Sequence, residues 1–339
     1  MKKELSFKIY YSTFVLAILV IGLHSSFVGF LDPNLGGYSF SLSFQRVFLT
    51  IGDAAVPTFF VISGYLLFSK FTLAKYPKML LKKVFSLVIP YFIWSVLGFL
   101  FTRIFIPLLN HESIELTFQS VSLDILLSKC SLHLWFVRTL MVFFIASPIL
   151  YFVFKFLKKW SIFIPVIVFV VYIFFRPDYS GILFWIPAFF VGSYLSYFDI
   201  PVLNKYKPRI VSIISMVALF SVAILLSIFD VKEAGTLYFC YRHLSIVLIW
   251  LSLDIFYSFF YKEEIKGIFK ISAFLFFSHI FIAWFFGFLL QKITPLDSNY
   301  KCVLFFFADW TISSLVCVGL SYILKRFANP VYKFLGGRN

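Results

Sequence analysis

The sequence predicts an all-α, polytopic membrane helix bundle with about ten transmembrane helices, and three observations support this class. The chain is strongly apolar, with a mean hydropathy of +0.96 and 61% hydrophobic residues. Only 13% of its residues are charged, which is about half the share found in soluble domains. Its apolar residues fall in long runs, near the roughly 20 residues that a helix needs to cross a membrane.

The apolar runs predict the helices in order along the chain. The first run, 10–30, follows a basic start. Because it is long and lacks a small-residue cleavage site, we interpret it as a retained helix rather than a signal peptide. The connection 107–131 is expected to fold over one mouth of the bundle, and no connection could hold a soluble domain, so 1–339 is predicted to be a single domain. The other predicted helices are 44–68, 84–106, 132–156, 160–175, 181–198, 208–229, 240–260, 268–290 and 302–324.

The charge distribution predicts the orientation of these helices. The chain carries 30 Lys and Arg against 15 Asp and Glu, for a formal charge of +15. In a soluble protein this excess would suggest nucleic acid as a partner. Here the basic residues concentrate in the segments on the side of the N-terminus, and most acidic residues fall on the opposite side. The positive-inside rule therefore predicts cytoplasmic N- and C-termini, and it accounts for the charge without nucleic acid.

Several ionisable residues fall inside the predicted helices at a shared depth, in the half of the bundle away from the cytoplasm. Their depth follows from the helical rise of 1.5 Å per residue. Ionisable groups are rare within a membrane and usually face a bundle interior or a wet cavity. The sequence therefore predicts a polar pocket open to the outside. Its candidate residues are His24, Asp53, His133, Arg138, Arg242, His243 and Asp309.

Most of these residues also have a purely structural interpretation. Arg242 and His243 can extend to the lipid headgroups, and His133 can lie at the membrane interface. The two aspartates can pair with one of the arginines and serve only to hold helices together. Position alone leaves these alternatives open.

Three further features lie outside this layer. His279 lies about midway along the ninth predicted helix. Ser63 precedes a glycine near the cytoplasmic end of the second, where a small residue lets another helix or a ligand approach. Lys82 and Lys83 end a basic connection that either meets anionic lipid or receives a phosphorylated donor. The four cysteines show no metal-ligand spacing, and no metal is expected.

Five segments occur in a distinctive order and spacing over nearly the whole chain. They are Leu16 to His24-Ser25, Val56-Pro57-Thr58-Phe59-Phe60-Val61-Ile62-Ser63-Gly64-Tyr65, Ile89-Pro90-Tyr91, Leu134-Trp135-Phe136-Val137-Arg138, and the C-terminal run that begins at Asn329-Pro330. This pattern resembles the bacterial integral-membrane acyltransferase family 3, whose members O-acylate surface polysaccharides.

The resemblance implies a cytosolic acyl-CoA co-substrate, most often acetyl-CoA, with no tightly bound cofactor. It implies an acceptor hydroxyl on a cell-surface or lipid-linked glycan, outside the cytoplasmic membrane of a bacterium. It also implies that His24 is the functional histidine. The chain departs from the family where arginine is usual, with Thr13 at one position and with Lys83 and Ser86 at an arginine pair.

Acyl transfer to a hydroxyl requires a base and hydrogen-bond donors for the developing oxyanion. His24 is the expected base because imidazole titrates near neutral pH, and Asp53 is expected to orient its ring. Arg138 or Arg242 is expected to stabilise the oxyanion or bind the acceptor, and His279 is the second candidate for base or acyl relay. The expected substrate-binding residues are His133, Arg242, Ser63, Lys82 and Lys83. The alternative is a non-enzymatic transporter of polyprenyl-linked glycan, which the lack of a visible internal repeat disfavours.

Overall fold

The described parts of the chain form helices joined by turns and short connections, with no strand among them, which confirms the predicted all-α class. The computed structural model describes residues 3–25, 39–109, 111, 113–114, 116–175, 181–204, 206–229, 235–256, 260–261, 267–293 and 296–337. The α-helices are α1 Lys3–His24, α2 Ser39–Asp53, α3 Ala55–Phe68, α4 Tyr76–Lys83, α5 Ile89–Phe99, α6 Ile106–Leu109, α7 Phe118–Leu126, α8 Trp135–Ile145, α9 Ser147–Leu157, α10 Phe163–Phe175, α11 Ile182–Tyr197, α12 Arg209–Ile228, α13 Thr236–Ser252, α14 Ser272–Ile293, α15 Asn299–Phe327 and α16 Asn329–Phe334.

Among the described residues, eight helical stretches are long and apolar enough to cross a membrane. Two shorter apolar helices, Leu132–Ile145 and Ile182–Tyr197, accompany them. The chain is therefore a multi-pass membrane protein. The eight long stretches are Lys3–His24, Phe40–Phe68, Leu73–Leu108, Ser147–Phe175, Arg209–Ile228, Thr236–Ile255, Gly267–Ile293 and Asn299–Phe327.

The structure divides some of the runs that the sequence predicts as single helices. A turn at Ala54 separates α2 from α3, and a turn at Ala146 separates α8 from α9. Pro148, in the first turn of α9, lacks the backbone N–H and clashes with the preceding turn, which favours the second break. Lys158 has φ +50°, so α9 ends there. Residues 26–30 of the first predicted helix and 257–259 of the eighth lie outside the described residues.

Helix α1 is central to the bundle and packs against α2, α3, α14 and α15. Its C-terminal half is held by Trp310 of α15, whose indole Nε1 donates a hydrogen bond to the Ile18 carbonyl at 2.7 Å. Gly22 makes room for that indole, because a Cβ there would lie 2.6 Å from Trp310 Cε2. These two contacts fix the depth and rotation of the end of α1 that carries His24.

Helices α3 and α11 approach each other unusually closely through two glycines. A Cβ at Gly192 would overlap the Val61 carbonyl, and a Cβ at Gly64 would overlap the Phe189 carbonyl. Small residues allow backbones inside a membrane to come this close. The Ser63-Gly64-Tyr65 segment therefore serves helix packing, one of the two interpretations that its sequence left open.

Candidate active site

Five of the candidate residues line one cavity of about 810 Å³ within the bundle. The cavity lies between α1, α2, α3, α8 and α13, and residues Leu127–Lys129 of the 107–131 connection form part of its wall. Residues that are far apart in the chain, and that the sequence places at a shared depth, therefore line the same cavity. The five residues are His24, Asp53, His133, Arg138 and Arg242.

His24 is the last residue of α1 and is only partly buried, so its ring borders the cavity. Its ring lies beside that of His279 of α14, with 5.0 Å between the ring centroids. In the described structure no protein group makes a hydrogen bond to the His24 ring. Its nitrogens are therefore available to a bound substrate.

Asp53 forms an ion pair with Arg242 that joins α2 to α13. Arg242 Nη2 lies 2.8 Å from Asp53 Oδ2, and the Tyr238 hydroxyl donates to the same oxygen at 2.7 Å. The Arg242 guanidinium also lies 4.7 Å from the centre of the Tyr238 ring. Arg242 is only 5% exposed, so the alternative in which it extends to the headgroups is not observed. A carboxylate paired in this way stabilises a buried arginine. Pairing of an aspartate with an arginine is one of the alternatives that the sequence left open.

The geometry assigns Asp53 to Arg242 rather than to His24. Within the described residues, the hydrogen bonds of the Asp53 carboxylate come from Tyr238 and Arg242, and none comes from the His24 ring. The orienting contact expected from Asp53 is therefore not made. The contact is absent because α13 places the Arg242 guanidinium and the Tyr238 hydroxyl against this carboxylate.

His133 and His279 form a buried pair behind His24. Their ring centroids are 5.0 Å apart, and their exposures are 3% and 0%. Of the alternatives for His133, a position at the membrane interface is therefore not observed. The residues before it share this burial, because Cys130 and Ser131 are themselves buried and Leu127–Lys129 form part of the wall of the same cavity.

Backbone carbonyls of α14 fix the tautomers of both rings. His133 Nε2 lies 3.1 Å from the Phe277 carbonyl oxygen, and His279 Nδ1 lies 2.7 Å from the Phe276 carbonyl oxygen. A carbonyl oxygen only accepts hydrogen bonds, so each of these nitrogens carries the hydrogen. In the neutral rings, His133 Nδ1 and His279 Nε2 then hold lone pairs. Both atoms are buried and have no hydrogen-bond partner in the described structure.

Arg138 contributes the second cation of the cavity. It is partly buried, and its Nη1 donates to the Leu127 carbonyl at 3.0 Å. Its contact is a neutral carbonyl, whereas Arg242 faces a carboxylate. Of the two arginines that line the cavity, Arg138 is therefore the one whose charge is less neutralised by the protein.

The remaining candidates lie away from this cavity in the described structure. The cavity walls do not include Ser63, Lys82 or Lys83. Lys82 is exposed, and Lys83 Nζ lies 4.4 Å from the centre of the Phe144 ring. The structure therefore does not join the basic connection directly to His24.

His243 and Asp309 are buried in other surroundings. The His243 nitrogens each lie 3.1 Å from a backbone carbonyl oxygen, those of Phe239 and Phe184. The alternative in which His243 extends to the headgroups is not observed, since the residue is 8% exposed. Asp309 is 2% exposed and accepts a hydrogen bond from Ser313 at 3.1 Å.

The structure adds aromatic residues that the sequence analysis missed. Tyr238 lies four residues before Arg242, a spacing that places both on one face of α13 and could have indicated the triad with Asp53. Trp135 and Trp185 line the cavity and stack with ring centroids 5.0 Å apart. No local sequence signal indicates this pair, because the two tryptophans lie on α8 and α11.

No group of three or more His, Cys, Asp and Glu among the described residues has the arrangement of a metal site.

The fold and the cavity define a multi-pass membrane protein that gathers ionisable residues inside its helix bundle. A family model described as an acyltransferase domain matches residues 14–326. The chain therefore belongs to acyltransferase family 3 and is an acyltransferase, which disfavours the transporter alternative. Searches of curated proteins and of solved structures gave no match.

Proposed function

We propose that this membrane acyltransferase moves an acyl group, in the first instance acetyl, from cytosolic acyl-CoA to a hydroxyl of a cell-surface or lipid-linked glycan. The observation that carries the proposal is the shared cavity of His24, Arg138 and the Asp53–Arg242 pair. It combines a proton acceptor with cations inside a bundle of the matched family. The proposed location is the cytoplasmic membrane of a bacterium.

His24 acts as the general base of the proposed reaction. A nitrogen lone pair of its ring takes the proton of the acceptor hydroxyl while the hydroxyl oxygen bonds to the thioester carbonyl carbon. Arg138 donates hydrogen bonds to the oxyanion that develops on the carbonyl oxygen. When the carbon–sulfur bond breaks, His24 returns the proton to the thiolate. The products are an ester on the acceptor and free coenzyme A.

The Asp53–Arg242 pair and the indoles form the proposed acceptor side of the cavity. Charged and polar groups at fixed positions orient a ligand by hydrogen bonding. Trp135 and Trp185 offer flat apolar surface next to these groups, and Trp185 Nε1 is a buried donor with no hydrogen-bond partner in the described structure. A sugar ring, which has apolar faces and hydroxyls at its edge, suits this combination.

The basic residues Lys82 and Lys83 are the proposed contact for the donor phosphates. They end α4, which continues through a π-helical turn, Val84–Val88, into the membrane-spanning α5. A lysine ammonium binds phosphate as a point charge, in place of the arginine fork that the family usually provides. The extended arm of the coenzyme would then reach from this end towards His24.

The proposal is tested by replacing His24 with Ala and measuring base-labile acetate on the surface glycan of intact cells. We expect the acetate content to fall to the level of cells that lack the protein, because the substitution removes the proposed acceptor of the hydroxyl proton. His111→Ala is the matched control, since His111 is an exposed histidine outside the cavity. Unchanged acetate at equal protein abundance in the His24→Ala cells would contradict the proposal.

The donor part has a separate test in membrane vesicles supplied with acetyl-CoA. Lys82→Gln combined with Lys83→Gln should raise the KM for acetyl-CoA severalfold and leave kcat nearly unchanged, because only donor binding loses charge. An unchanged KM would mean that these lysines contact only lipid.

A further inference from the structure

His133 Nδ1 and His279 Nε2 are two buried atoms that the chemistry described above does not use. Each ring donates its one hydrogen to a carbonyl of α14, so each presents a lone pair on its other nitrogen. Two acceptors cannot bond to each other, and each requires a donor. Buried polar atoms without a partner are rare in folded proteins. Two of them on adjacent rings therefore point to a donor that binds between these rings and the cavity.

His24 is the donor that the geometry offers. Its ring lies 5.0 Å from that of His279, centroid to centroid. That separation is about the distance between two imidazole rings joined by an N–H···N hydrogen bond of about 2.9 Å. A neutral His24 has one N–H and one lone pair, and catalysis needs the lone pair to face the hydroxyl. The N–H must then point away from the substrate.

We propose that the lone pairs of His279 and His133 form an acceptor subsite that receives the N–H of His24. The subsite sets the tautomer of His24 and turns its second nitrogen towards the cavity. One water molecule can relay the contact where a ring nitrogen is out of direct reach, because it can donate to both lone pairs and accept from His24. His279 and His133 are thus positioning residues, and the inference rests on His24 being the base.

The subsite fulfils the task that was expected of Asp53. The Asp53 carboxylate already accepts from Arg242 and Tyr238. A neutral imidazole acceptor also suits the inside of a membrane protein, because it adds no charge to an environment where charges are costly. The bundle therefore orients its base with uncharged rings held by helix carbonyls.

Asparagine and glutamine substitutions separate the two nitrogens of each histidine. The Asn amide occupies the place of Nδ1, and the Gln amide reaches the place of Nε2. His279→Gln keeps an acceptor where the subsite needs it, whereas His279→Asn keeps only the bond to the Phe276 carbonyl. For His133 the pattern reverses, because His133→Asn keeps the acceptor and His133→Gln keeps the bond to the Phe277 carbonyl.

The experiment measures kcat for all four variants in membrane vesicles with acetyl-CoA, beside the melting temperature of each purified protein. We expect His279→Gln to retain at least ten times the kcat of His279→Asn, and His133→Asn at least ten times that of His133→Gln. The KM for acetyl-CoA should change little, because the subsite acts on the base.

The opposite order at both positions, with Asn favoured at 279 and Gln at 133, would show that the histidines only brace α14 and would overturn the inference. Equal kcat within each pair would overturn it too. If one variant fails to fold, the pair at the other position decides. An active His24→Ala protein would instead contradict the proposed function itself, so the two failures are distinguishable.

Discussion

The ion pair between Asp53 and Arg242 makes the most quantitative prediction, which concerns Asp53→Ala. The substitution removes the carboxylate that accepts hydrogen bonds from Arg242 at 2.8 Å and from Tyr238 at 2.7 Å. It leaves a guanidinium that is 6% exposed without its carboxylate partner, while the Asp53 side chain is 19% exposed. The predicted effect therefore comes mainly from the arginine that stays behind.

The magnitude follows from the burial of the two partners. Removing one member of a buried ion pair typically costs about 3–5 kcal/mol, because a charge stays buried without compensation. The partial exposure of Asp53 to the cavity places this pair at the lower end, so we expect a loss of about 3 kcal/mol in the free energy of unfolding. Asp53→Asn keeps one acceptor oxygen and should lose about half as much.

Unfolding in mixed micelles with increasing dodecyl sulfate, followed by tryptophan fluorescence, measures this loss, since the chain has 7 Trp. The control is the double variant Asp53→Asn with Arg242→Gln, which removes both charges. It should recover most of the stability and none of the activity, because replacing a whole buried pair with neutral groups is often nearly neutral for stability. An Asp53→Ala protein whose free energy of unfolding lies within about 0.5 kcal/mol of the wild-type value would refute the reasoning, since substitutions at exposed surface positions give changes of that size.

Two further predictions concern the packing that supports the cavity. Gly192→Ala should lower the melting temperature by several degrees, because the added Cβ would overlap the Val61 carbonyl. The control Gly319→Ala, whose Cβ would have nothing within 4 Å, should leave the melting temperature unchanged or raise it. Equal effects of the two substitutions would contradict the close approach of α3 and α11. Lys8 Nζ lies 2.6 Å from Asp254 Oδ1, and both side chains are almost fully buried. Asp254→Leu alone should therefore lower the free energy of unfolding by about 3–5 kcal/mol, and its combination with Lys8→Met by much less. A double variant as unstable as the single variant would contradict that explanation.

The sequence was informative about the fold because its signals are local. Apolar runs of membrane-spanning length predict helices without knowledge of their neighbours, although the break before Pro148 was not predicted. The shared depth of His24, Asp53 and Arg242 follows from counting residues along each run. That counting correctly predicted a common cavity, because an ionisable group in a membrane has few other places to lie.

Depth alone could not decide the surroundings of each residue. It left open whether His133 lies at the membrane interface, and only the structure shows that the residue is buried at the cavity. The partner of Asp53 was equally beyond local reasoning, since Arg242 lies 189 positions further along the chain.

By itself the sequence determined the helical class, the membrane solvent and the family, because hydropathy, length and motif spacing are properties of short segments. Only the tertiary structure decided which groups meet: Arg242 takes the carboxylate of Asp53, and His279 approaches His24. The physical reason is that a hydrogen bond or an ion pair acts over a few ångströms, and only the packing of helices sets distances on that scale.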